Sequence, residues 1–302
     1  MLKKFTRAVF FGNYFCSSGA VALSIEASLQ QRYPLNSAAW YIFVFSASTL
    51  YYTYAYLGEA STNTTNPRTL WYVHNRKSVI ASQIIFTCIA ALAAMYIFIN
   101  YGKGVSSIKK WQWVVIAMFP FVAALYYGLP FKGWGQYNLR RTGWLKPFLI
   151  AFVWAGSVTV YPLIFSQVQT GLPYTITWLG VLLFVKNLMF ASVLGIMFDI
   201  KDYATDYNKK LKTFVVRVGL RKTLFYIILP LSMAGFISFL VFAFLNHFPP
   251  TRVLLNCIPF MALLIVGYSM HRRKSIMYYL VVIDGLLLVK AFCGILAMLL
   301  IN

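Results

Sequence analysis

Acid is what this sequence has least of. Its 302 residues carry only six Asp and Glu against 27 Lys and Arg, and charged side chains of both signs make up 11% of the chain. So little charge excludes an ordinary soluble domain, which needs roughly a quarter of its residues charged. The remaining composition agrees, with 60% hydrophobic residues and a mean hydropathy of +0.70. Histidine and cysteine are scarce too, at three and four residues. Cys16, Cys88, Cys257 and Cys293 all fall in apolar runs, away from water or an oxidising partner, and read as packing residues rather than as a disulfide or metal framework. Long linkers rich in Gly and Ser are absent, and no repeat of 20 to 50 residues recurs, so residues 1–302 read as one transmembrane domain.

What is present is apolar sequence in runs of the length that crosses a hydrocarbon core, roughly 20 residues each. Nine such runs stand near residues 8–30, 37–58, 79–100, 111–129, 147–168, 174–198, 223–246, 251–270 and 276–301. They predict an all-α, polytopic membrane protein of nine transmembrane helices. The first run follows a basic start but is long and lacks a small-residue cleavage pattern, so it reads as a retained span. The net charge of +21 lies in short loops, without the stacked-aromatic surface of a nucleic-acid platform, and excludes that partner. It orients the chain instead. When loops alternate between the two sides, one side receives Arg32, Lys103, Lys109, Lys110 and Arg252, and the other receives all the remaining loop bases. The positive-inside rule then sets the N-terminus in the cytoplasm and the C-terminus outside, in an integral protein of a bacterial cytoplasmic membrane.

Half of the scarce acid is concentrated in FDIKDYATDYNKKLKTFVVRVG, residues 198–219, where Asp199, Asp202 and Asp206 stand at i, i+3 and i+7. On a helix that spacing sets three carboxylates on one face, where they repel one another and oppose the negative end of the helix dipole. Lysine neighbours are the plain alternative explanation, and Asp206 has Lys209 and Lys210 at i+3 and i+4. Asp199 and Asp202 have no base at those spacings. A hard divalent cation with oxygen ligands would relieve both penalties, and Mg²⁺ commonly takes one or two carboxylates together with phosphate oxygens.

The D-x-x-D-x-x-x-D row, a basic spacer and then Thr213, Val216 and Gly219 resemble the second aspartate-rich motif of the UbiA superfamily of intramembrane prenyltransferases. The nine-span, N-terminus-in layout agrees with that family along the whole chain. The resemblance implies a UbiA-like helical bundle open to the bilayer, a polyprenyl diphosphate bound through Mg²⁺, ionisation to an allylic cation, and attack by a lipophilic acceptor. It gives Asp199, Asp202 and Asp206 the metal-binding and catalytic roles. Tyr137 and Arg141 echo a Tyr-x-x-x-Lys element that supports the diphosphate; with Arg140 and Arg68 they would neutralise phosphate.

The family's first motif, N-x-x-x-D-x-x-x-D, has no aspartate here. Its region reads YYTYAYLGEASTNTTNPRTLW, with Glu59 as sole acid and Asn63, Asn66 and Arg68 as polar neighbours. Three readings stay open: Glu59 and the amides rebuild a weaker site, Arg68 with Arg76 and Lys77 takes over by charge, or the protein binds an isoprenoid lipid without catalysis. Within the spans lie four further ionisable residues, Glu26, Lys186, Asp284 and Lys290. A Lys186–Asp284 ion pair across the bundle is expected, and it also motivates a rival reading as a small-solute transporter. Asn13 and Asn187 are expected to form interhelical hydrogen bonds.

Overall fold

The computed structural model describes residues 2–58, 66–127, 143–208, 210 and 212–300, excepting the side chains of residues 2, 3, 55 and 204–206. All regular structure among them is helical. In chain order the helices are α1 (Leu2–Phe11), α2 (Tyr14–Gln30), α3 (Ala38–Gly58), α4 (Pro67–His74), α5 (Arg76–Tyr101), α6 (Lys110–Tyr127) and α7 (Lys146–Thr159). They continue as α8 (Tyr161–Thr170), α9 (Trp178–Asn208), α10 (Phe214–Val218), α11 (Leu220–Leu245), α12 (Pro250–Ser269) and α13 (Ile276–Leu299). Six helices of the described residues are long and apolar enough to cross a membrane, and a seventh arises if α1 and α2 act as one bent span. Helix α3 and the shorter apolar α6 occupy the places of the second and fourth runs in the sequence.

A helical bundle in lipid gains little from hiding apolar side chains, since acyl chains are equally apolar; close backbone approach and interhelical hydrogen bonds hold it together instead. Glycines mark the closest approaches. A Cβ on Gly156 of α7 would stand 2.1 Å from the Phe119 ring of α6, and one on Gly195 of α9 would stand 2.9 Å from Pro147 at the start of α7. Polar bridges across spans include Asn187 to Thr159, donated at 2.7 Å, and Thr49 to Ser17, donated at 2.9 Å.

Helix α9 runs through the middle. Its Phe190, Val193, Ile196 and Met197 pack with Leu23 of α2, Ile228 of α11, Phe260 and Leu263 of α12 and Leu287 of α13. Helix α5 lies at the rim, with Ile84, Ile85, Leu92, Phe98 and Ile99 exposed, as a lipid-facing helix requires. Two wide π turns interrupt the helices, at Leu224–Ile228 in α11 and at Tyr279–Ile283 in α13. The second delivers Asp284.

The first span breaks between α1 and α2, whose axes differ by 53°. The sequence at the break is Gly12-Asn13. Asn13 sits in the left-handed region at φ 67°, a conformation asparagine tolerates better than most side chains. A break of this kind leaves backbone carbonyls without helical partners, and in a membrane they must be satisfied by neighbours.

Candidate functional site

The aspartate row lies on the last turns of α9. Gly195, one turn earlier, lets the α7 start come into contact, and this brings Lys146 onto Asp199: Lys146 Nζ donates to Asp199 Oδ1 at 2.8 Å. Asp199 is buried, at 1% exposure. Lys146 escaped the sequence reading, which counted it among the loop bases; its one visible signal is the Lys-Pro helix start. Asp202 is 35% exposed, with Lys201 Nζ 3.4 Å from its Oδ1. Lys201 itself lies 5.2 Å over the Phe198 ring, and Phe198 meets Tyr279 of α13 at a centroid distance of 6.0 Å. Asp206 is within α9, but its side chain lies outside the described residues.

The α10 segment after the row packs back against α9. Thr213 is fully buried and caps α10, its hydroxyl accepting from the Val216 amide at 3.4 Å. Val215 is buried, and Gly219 ends α10 at φ 84°, ψ 160°, a conformation open mainly to glycine. These are the physical reasons for the Thr and Gly of the motif: one starts a short helix and the other stops it. A Cβ at Gly143 would stand 2.6 Å from the backbone at Lys212 and Thr213, so the loop before α7 lies directly against this segment. Phe148 and Phe214 meet edge to face at 6.0 Å.

Arg68 is at the same end of the bundle, 3% exposed. Its place is set by α4, which Asn66 caps by accepting from the Arg68 amide at 3.0 Å, with Pro67 in the first turn. The guanidinium donates to the Tyr56 hydroxyl at 2.9 Å, to Asn13 Oδ1 at 2.5 Å and to the Phe11 carbonyl at 3.2 Å, and it stacks on the Tyr56 ring at 3.9 Å. Tyr72 donates to the same carbonyl at 2.7 Å, and Asn13 Nδ2 donates to Thr53 at 3.1 Å and to Tyr72 at 3.2 Å. Arg68 and Tyr72 therefore satisfy the break in the first span. Burial pushes the Tyr72 phenol above its ordinary pKa, and the adjoining Arg68 charge opposes the shift. Glu59, Asn63, Tyr137, Arg140 and Arg141 lie outside the described residues.

The expected Lys186–Asp284 pair is not formed. Lys186 donates to Asn256 of α12 at 2.9 Å and stands 3.8 Å from Glu26 of α2, while Lys290 donates to the other Glu26 oxygen at 2.7 Å. Depth explains the difference. Asp284 and Lys290 are six residues apart on α13, so Lys186 meets that helix nearer Lys290. Asp284 instead lies where the charges of Arg68 and Lys201 act on it, toward the aspartate row. The transport reading loses the pair on which it rested.

The donor set bears on a metal. Among the described side chains no group of three His, Cys, Asp or Glu could hold one. Asp199 and Asp202 supply two carboxylates one turn apart, the number Mg²⁺ commonly takes beside phosphate oxygens, so the set fits a cation that arrives with a diphosphate.

No protein-family model and no curated protein matches the chain by sequence. Solved structures do match the fold. A structure from work on digeranylgeranylglyceryl phosphate synthase in membranes aligns over 99% of this chain and 98% of its own, with a TM-score of 0.54 and 13% identity. The apo structure of a UbiA homolog from Aeropyrum pernix K1 aligns over 96% of each chain, with a TM-score of 0.56 and 15% identity.

Proposed function

With the UbiA prenyltransferase fold as the premise, we propose that this chain binds a prenyl diphosphate at the aspartate-bearing end of the bundle and transfers the prenyl chain to a lipophilic acceptor in the membrane. One observation carries the reading: in a chain so poor in acid, the fold spends a buried aspartate and one about a third exposed on consecutive turns of its central helix.

Asp202 and Asp206 would hold Mg²⁺, with Asp199 either a further ligand or orienting the row through Lys146. The metal would supply positive charge against the diphosphate oxygens. The chain's own bases act in the same direction. Lys201 and Lys146 stand within the row and stabilise negative charge as it grows on the leaving diphosphate. Arg140, Arg141 and Tyr137 would complete the phosphate contacts from the loop before α7. The aromatic rings of Phe198 and Tyr279, and the Tyr52–Trp154 pair joined by a hydrogen bond from the indole to the phenol, offer faces on which an allylic cation is sheltered. Arg68 contributes by holding the first span in its bent form.

A second reading, an isoprenoid-binding protein without turnover, is favoured by one observation: Lys146 already neutralises Asp199. The two separate in one assay. Purified protein in lipid nanodiscs is incubated with prenyl diphosphates of several chain lengths, Mg²⁺ and a panel of lipophilic aromatic and isoprenoid acceptors, and released diphosphate is measured. Prenyl transfer predicts release that falls at least about 100-fold in Asp202→Asn, with the melting temperature unchanged. Bound lipid with no release from any chain length supports the non-catalytic reading; release that Asp202→Asn leaves intact removes the assigned site.

A further inference from the structure

The end of the bundle remote from Asp199 holds a second concentration of charge. Lys186 and Asp199 are 13 residues apart on α9, roughly 20 Å along its axis. Around Lys186 the buried groups do not balance. Among the described residues Glu26 is the one carboxylate there; Lys290 takes one of its oxygens at 2.7 Å, and Gln30 donates to the other at 3.0 Å. Lys186 is left at 3.8 Å from that second oxygen, with its closest bond to the neutral Asn256. Arg252, on the first turn of α12, adds a third cation at 8% exposure, and its backbone carbonyl accepts from the same Asn256 at 2.9 Å. Arg32 stands near enough for its charge to act on Arg252.

The guanidinium of Arg252 is held but not used. It stacks on Phe248 at 3.9 Å, which fixes its plane. Its Nε and Nη2 are both buried and have no hydrogen-bond partner among the described residues. Those two nitrogens lie on one edge of the guanidinium, the edge that grips two oxygens of a single anion side on. Two donors buried at a membrane-facing site cost several kcal/mol if nothing receives them. Phe248 also walls a small cavity with Lys186, Gln30, Phe239, Leu179 and Leu182. Phe248 thus links the unused edge, which it stacks against, to the apolar cavity that Lys186 lines, and Phe244, Leu245 and Leu254, close to Phe248 and Arg252 in sequence, are exposed.

We propose that this place is an anion site whose ligand is a phosphate group, gripped by the Nε/Nη2 edge of Arg252 and neutralised jointly with Lys186. Basic pockets between transmembrane helices commonly take the headgroup of an anionic lipid, whose chains would lie along the exposed α11 and α12 surface; a free phosphate presents the same chemistry. The site is separate from the proposed transfer site and does not depend on it.

The test uses the full chain in detergent, titrated with dioleoylphosphatidylglycerol, with the matching diacylglycerol that lacks phosphate, and with inorganic phosphate, while the melting temperature is read. A rise with phosphatidylglycerol but not with diacylglycerol is expected, with about tenfold weaker affinity in Arg252→Gln and no change in Arg273→Gln at the other end. An Arg252-dependent rise with inorganic phosphate as well assigns the site to the free ion. If Arg252→Gln does not fold, Arg252→Lys, which keeps the charge and loses the two-oxygen edge, takes its place, and native mass spectrometry of the unaltered protein counts bound phospholipid. No rise with either phosphate source, or an equal rise in the Arg252 variant, overturns the proposal.

Discussion

Arg68 shows how much a residue's surroundings add to what its charge implies. By sequence it is a loop base suited to a phosphate; in the fold its nitrogens close the gap in a broken helix. Replacing it with Met leaves the Phe11 carbonyl one donor short and Asn13 Oδ1 without its closest partner. Losing charged hydrogen bonds at a buried site costs about 2–4 kcal/mol. The melting temperature of Arg68→Met is therefore expected to fall by several degrees, in contrast with Asp202→Asn, whose carboxylate is a third exposed. A simple phosphate-binding role would instead lower turnover and leave the melting temperature alone. The information needed to foresee this was not local: the closest partner of Arg68 is Asn13, 55 positions earlier, at a break where the backbone turns into the left-handed region.

At the scale of elements, the contact between α7 and α9 sets the geometry of the aspartate row. The contact exists because residue 195 has no side chain. A methyl there would press on both the backbone and ring of Pro147, and neither can move without shifting the start of α7. Gly195→Ala is expected to destabilise the protein by about 1–3 kcal/mol and to lengthen the Lys146–Asp199 contact. Chemical denaturation measures the first effect, and diphosphate release the second. An unchanged midpoint would show that α7 can yield. The elements were the most legible part of this chain: apolar runs of membrane length foretold a helical membrane protein, although six or seven spans among the described residues, rather than the nine expected, are long and apolar enough, and the Thr213 and Gly219 of the motif proved to be the start and stop of α10. Pairings between elements were less legible. Glu26 and Lys290 meet across 264 residues, and no periodicity reports on that distance.

For the molecule as a whole, the excess of base on one set of loops predicts orientation. Lys103 and Arg273 fall on opposite sides by that reckoning and are both exposed. In a background without native cysteines, a membrane-impermeant thiol reagent added to intact cells should label Lys103→Cys and spare Arg273→Cys; the reverse pattern would invert the topology. Fold class and the aspartate row could be read from composition and spacing, because both depend on residue types at short range. The buried charges could not, because their meaning depends on which spans become neighbours.

That dependence bears on how the chain is made. Glu26 lies on α2 and Lys290 on α13, so the earlier carboxylate must wait in the bilayer for its 2.7 Å partner while the helices between them are made, with Lys186 of α9, at 3.8 Å, the first of the two bases to arrive. Until α13 docks, Glu26 has only Gln30 and Lys186 beside it. The Lys290 contact is an electrostatic latch that only a chain carrying α13 can fasten, and chains cut short before residue 290 would stay exposed to membrane proteases.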